Sequence, residues 1–156
     1  MKKFYWSVIL ICSLFAPENV YGQNHESGGN AEQGTLISNT IIISQGDSMK
    51  VEFENSENPL GGAKLVTDIA DSTRSVFIKF TYVQYNGKKV SQLKVTNYFN
   101  KVFIYRAKVR PAGSKIYSET SIMPILPHIY GLELWQYNIE SIMLYDFKVK
   151  KIGSDL

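Results

Sequence analysis

Glu133, Trp135 and Tyr137 have the spacing with the clearest chemical meaning in this chain. Alternate side chains of an extended strand share a face, so the three would stand together as aromatic plates beside a carboxylate. Such a set can stack on a sugar ring and bond its hydroxyls, which makes it a candidate glycan site. In the competing arrangement Trp135 and Tyr137 are core and Leu132 and Leu134 point outward, because an indole is usually well buried. A second set, Lys94, Arg106, Lys108 and Arg110, lies in a stretch from Ser72 to Tyr117 that contains no Asp or Glu. If these cations share one solvated face, that face can meet an anionic surface polymer. The simpler alternative is a solvated strand face balanced by the acidic residues between positions 47 and 71.

Other chemistries are poorly supplied. The chain has two histidines, His25 and His128, and the latter directly follows Pro127 in a loop that also holds Pro124. No Gly-x-Ser-x-Gly elbow presents a serine to it, so a nucleophilic triad is not expected. The carboxylates Glu119, Glu133 and Glu140 have a spacing that fixes no acid–base pair of the kind glycoside hydrolysis needs. Asp68 and Asp71 are oxygen ligands of the type calcium takes, but two carboxylates are too few for a site. No glycine-rich phosphate loop opens a helix. The expectation is a protein without catalytic activity, cofactor or metal.

The single cysteine, Cys12, falls in a segment with its own signature. Met1-Lys2-Lys3 is a short basic start, Phe4 to Phe15 is apolar, and Val20-Tyr21-Gly22 suits a cleavage site. Residues 1–22 therefore read as a secretory signal peptide, cleaved near Gly22/Gln23. The run is shorter than the roughly 20 apolar residues a membrane span requires. The expected product is secreted or periplasmic, with no transmembrane segment in the mature chain. Ile11 precedes Cys12 where a lipidated cysteine wants a small residue, so a cysteine-free mature protein is expected, held by its core alone. Losing Lys2, Lys3 and Glu18 lowers the formal net charge from +3 to +2. Nucleic acid is not expected as a partner, since export removes the usual encounter.

The remaining elements read as strands. Residues 23–34 are polar and glycine-rich, a flexible leader. Thr35 to Ser44 is β-branched and forms the first strand; as a sheet edge it could add to the sheet of a protein partner. Ser48 to Glu54 alternates Met49, Val51 and Phe53 against Lys50, Glu52 and Glu54. Val76 to Tyr85, the dipeptide Asn86-Gly87 and Lys88 to Thr96 make the strongest hairpin signal, since Asn-Gly supplies the two positive φ angles of a type I′ turn. Further strands are expected over residues 63–67, 101–110, 115–123, 132–137 and 139–152. Eight or nine short strands without a helical period predict an all-β fold over residues 35–156. Loops as uneven as 55–62 and 124–131 favour an antiparallel β-sandwich of immunoglobulin-like architecture over a closed barrel. The functional expectation is a binding or interaction module for a glycan or an anionic surface polymer. Its alternatives are an assembly protein acting by edge-strand pairing, and an enzyme with an unrecognised site.

Overall fold

The computed structural model describes residues 34–153. The expected signal peptide and nearly all of the leader lie outside the described residues. The chain forms β1 (Gly34–Ile37), β2 (Thr40–Ser44), β3 (Ser48–Glu52), β4 (Lys64–Val66), β5 (Ser75–Tyr85), β6 (Lys88–Asn97), β7 (Val102–Pro111), β8 (Ser118–Thr120), β9 (Tyr130–Trp135) and β10 (Ile139–Lys150). Two antiparallel sheets of five strands, ordered β1-β2-β10-β7-β8 and β4-β3-β5-β6-β9, make an all-β sandwich.

The Asn-Gly hairpin forms as its sequence demands. Asn86 and Gly87 take φ of 49° and 72°, and Tyr85 pairs with Lys88, leaving a two-residue loop. Apolar residues on both faces of β5 match its place inside the second sheet, between β3 and β6.

The segment expected as one strand over Thr35–Ser44 is two. Ser38 and Asn39 both have positive φ, 42° and 63°, and fold β1 back on β2. Asparagine tolerates this conformation. Here its amide is also held from outside: Asn39 Nδ2 donates to the Leu60 carbonyl at 2.9 Å, and its Oδ1 accepts from Ala63 N at 3.3 Å. Only β1 is therefore an edge, and β2 is paired on both sides. The strand expected over residues 115–123 shrinks to β8, because the turn at Gly113 carries into a loop in which Ser114 Oγ accepts from Ile116 N.

The core fills the space between the sheets. Phe53, Phe99, Phe103, Tyr105 and Phe147 form an aromatic cluster with ring centroids 5.4–6.0 Å apart. Ile41, Ile43, Val51, Ile78, Phe80, Leu93, Ala107, Ile142 and Leu144 extend it, all buried. Two buried polar side chains fix where the chain changes sheets, since a buried polar group needs partners. Asn97 Nδ2 reaches the carbonyls of Lys101, Ile125 and Leu126, and its Oδ1 accepts from Phe99 N. Ser91 Oγ donates to the Tyr137 carbonyl and accepts from Ile139 N, which pins the passage from β9 to β10.

Candidate functional site

β9 occupies an outer position in its sheet and, at six residues, is the longest edge strand among the described residues; β1 has four, β4 and β8 three each. Its inner neighbour is β6, with Tyr130 opposite Thr96, Leu132 opposite Lys94 and Leu134 opposite Gln92. The loop before it is anchored by Ile125, which exchanges two 2.9 Å backbone hydrogen bonds with Phe103 across the sandwich. Ile125 is buried, and Gly131 lets it approach: a Cβ at that position would lie 2.9 Å from its side chain.

Alternation along β9 sends Tyr130, Leu132 and Leu134 to the solvent, where they are 54%, 46% and 42% exposed. Gly131, Glu133 and Trp135 turn inward. Glu133, Trp135 and Tyr137 therefore form no exposed platform, and the outward-aromatic arrangement is corrected. Trp135, only 9% exposed, lies between the two edges and donates from Nε1 to Thr120 Oγ1 of β8 at 3.2 Å. It bolts one sheet to the other. Glu133 is half-buried and accepts from Met123 N at 3.1 Å. Its charge, after burial itself, helps push the Tyr105 hydroxyl well above its ordinary pKa. Glu133 can turn inward because β9 lies on the rim. An inward carboxylate there meets a backbone N–H rather than the core. Tyr137 stands exposed beyond the strand's end.

The outward row of β9 borders a lysine face. On the same side of the sheet, β6 and β5 present Lys94 and Lys79, paired directly across the ladder. Lys94 Nζ sits over the Tyr130 ring, 4.3 Å from its centroid. Neither lysine makes an ion pair with an acid among the described residues.

The expected basic patch is divided. Lys94 belongs to one sheet, whereas Arg106, Lys108 and Arg110 are on β7 of the other. Nearness in sequence misleads here, because the chain changes sheets between β6 and β7. The three β7 cations also have acid partners. Arg106 and Lys108 approach Glu119 Oε1 at 3.7 and 3.6 Å, and Arg110 approaches Glu140 at 3.1 Å. Tyr145 donates its hydroxyl to Glu119 at 2.6 Å. That bond first, and the two cations next, hold the Glu119 carboxyl below its usual range, and the same bond raises the Tyr145 hydroxyl. Arg110 Nε and the Tyr117 hydroxyl both reach Ser141 Oγ, at 3.0 and 2.7 Å.

Protein-family models, curated proteins and solved structures give no match to this chain. Its chemistry rests on its own residues. Asp68 is exposed and pairs with Lys50, while Asp71 accepts from Thr73 and pairs with Arg74. No group of three His, Cys, Asp or Glu among the described residues could hold a metal. His128 is exposed, with φ of 59°. The carboxylates Glu119, Glu133 and Glu140 lie on three different strands, each with its own partner. The competing arrangement already had Leu132 and Leu134 outward; sequence reading missed Tyr130, placed in the loop before the strand, although the alternation Tyr130-x-Leu132-x-Leu134 carried its signal.

Proposed function

We propose that this chain is an exported, non-catalytic interaction module whose β9 edge accepts an extended segment of a partner protein. The observation that carries the reading is the row Tyr130, Leu132 and Leu134, exposed on a six-residue edge strand. Edge strands of monomeric proteins are usually short or carry charges that discourage pairing. β4 and β8 follow that rule, at three residues each with Lys64 and Glu119 among them. β9 does not. An added strand gains affinity from main-chain hydrogen bonds and specificity from alternate side chains, here against two leucines and a tyrosine.

The charge beside the row narrows the partner. Lys94 borders it and Lys79 lies one strand further in, and no acid occurs from Ser72 to Tyr117 to neutralise them. An added strand lies about 9.5 Å from β6, two strand spacings away. That is close to the screening length of about 8 Å at physiological ionic strength, and long acidic side chains shorten the gap. The fitting partner segment alternates apolar residues with Asp or Glu. Export rests on the pattern of Met1 to Gly22, and the non-catalytic reading on the lack of cysteine in the mature chain and of any serine elbow to serve His128.

The test uses a fluorescent synthetic peptide alternating valine with aspartate and glutamate, and a control of equal composition with the alternation scrambled. Anisotropy is expected to show saturable binding of the alternating peptide, weakened about tenfold or more by Leu132→Lys with Leu134→Lys, the loss of one or two buried leucine contacts. Equal binding of both peptides, or binding indifferent to the two substitutions, would remove the reading.

A further inference from the structure

The main chain of β9 alternates as its side chains do. Asn97 N donates to the Ile129 carbonyl at 2.9 Å, one step beyond the Thr96–Tyr130 pair of the β6–β9 ladder. In an antiparallel ladder, directly opposed residues alternate between pairs that exchange both hydrogen bonds and pairs that exchange none. Counting on from Ile129, the residues Gly131, Glu133 and Trp135 aim their main-chain groups at β6, and Tyr130, Leu132 and Leu134 aim theirs at the open edge. No hydrogen bond among the described residues engages those edge groups. The exposed apolar row and the free donors and acceptors therefore belong to the same three residues.

We infer that a second copy of this chain caps the edge when no partner is present, β9 pairing antiparallel with its counterpart about a two-fold axis through Leu132. The inference rests on the reading of β9 as an open docking edge and adds its resting occupant. A two-fold contact uses the same patch on both copies, so the strand must be complementary to itself. With Leu132 opposite Leu132, Tyr130 meets Leu134 at both ends, and every residue with free main-chain groups faces another of the same set. On the inward side Glu133 then faces Gly131, which has no side chain to crowd it, and keeps its bond from Met123 N. Slipping by two residues in one direction sets Glu133 against Glu133, an unfavourable like-charge pair, and in the other leaves Leu134 with no opposite residue in the strand. Lys94 stands opposite Leu132 on β6. In the joined sheet the two Lys94 residues would be three strand spacings apart, about 14 Å, beyond the screening length of about 8 Å. Stable interfaces bury about 1,200–2,000 Å² in all, and a contact of one six-residue strand from each copy is smaller. The dimer is a weak one, formed at high protein concentration, and an acidic segment drawn by Lys94 displaces it.

Sedimentation velocity on the full chain is expected to show a monomer that converts to a dimer as concentration rises, and the alternating valine–acid peptide should shift it back. The register is tested by disulfide trapping in a Cys12→Ser background, which removes the one native thiol. Leu132→Cys should crosslink under mild oxidation about tenfold or more faster than Leu134→Cys, because opposed Cα atoms of a bonded pair stand about 5.5 Å apart, within disulfide reach. Positions 134 of the two copies are instead offset along the ladder by the length from Tyr130 to Leu134. A chain that stays monomeric at every concentration yet binds the peptide would overturn self-pairing and leave the open edge standing. A chain that neither dimerises nor binds the peptide would remove both. Equal crosslinking at positions 132 and 134 would overturn the pairing about Leu132.

Discussion

The outer faces of the two sheets draw their cations from the same acid-free stretch, Ser72 to Tyr117, yet end in opposite electrostatic states. On the face built around β7, Arg106 and Lys108 share Glu119 and Arg110 meets Glu140, while Lys148, which β10 itself supplies, meets Asp146. On the face around β5, β6 and β9, Lys79 and Lys94 meet no acid among the described residues, and a row of exposed apolar side chains lies beside Lys94. The difference comes from what the later chain delivers. β8 and β10 bring Glu119, Glu140 and Asp146 to the first sheet. β9 brings one acid, Glu133, to the second and turns it inward. One face has its cations paired within the chain; the other keeps Lys79 and Lys94 without an acid among the described residues.

The comparison breaks most severely at Trp135, whose inward position sets which side of β9 is wet. Trp135→Ala is expected to cost about 3 kcal/mol or more in chemical denaturation, in the range of large aromatic truncations. The native protein's Trp135 emission should be blue-shifted and resistant to quenchers; a red-shifted, quenchable emission would mean an outward indole and leucines packed within. A smaller effect, confined to binding, is expected from Leu132→Lys with Leu134→Lys. Folding stability should stay within about 0.5 kcal/mol, as for most surface substitutions, while strand addition is lost. A large loss of stability would show that the two leucines are packed.

The paired face can be opened. Glu119→Gln frees Arg106 and Lys108, and retention of the protein on an anionic resin should then extend to higher salt. Unchanged elution would mean that the ion pairs at 3.6–3.7 Å do not govern that face. The smallest effect is a titration. Glu119 is held below its ordinary value of 4.5, so its contribution to stability is present above that value and is lost as pH falls through the folded pKa. Tyr145 is raised above its ordinary 10, so its contribution is present below 10 and is lost as pH rises through the folded value. Tyr145→Phe removes the shared hydrogen bond and should move the Glu119 carboxyl back toward 4.5 in a carbon NMR titration. An unmoved midpoint would assign the shift to Arg106 and Lys108 instead.

How legible the molecule was varies with how local the signal is. The Asn86-Gly87 hairpin, the alternation of β3 and the inner place of β5 follow from adjacent residues, and they stand as read. The Ser38-Asn39 turn was invisible because its asparagine is satisfied by Leu60 and Ala63, more than twenty residues away. The basic patch was misassembled for a related reason. Lys94 and Arg106 are near in sequence, but the sheet change between them depends on Asn97 gripping the carbonyls of Ile125 and Leu126. The face of β9 was ambiguous because a glutamate favours solvent in an inner strand, whereas at a rim it can point inward and accept from Met123 N. Alternation divides a strand into two faces; only the neighbours decide which face is wet.

Amide hydrogen exchange along β9 tests the open edge most directly. With the alternating valine–acid peptide present, exchange across Tyr130–Trp135 should slow, while β1, β4 and β8, the other three edges, keep their rates. Protection at β1 or β8 instead, or unchanged exchange across Tyr130–Trp135 at saturating peptide, would contradict the assignment of β9 as the docking edge.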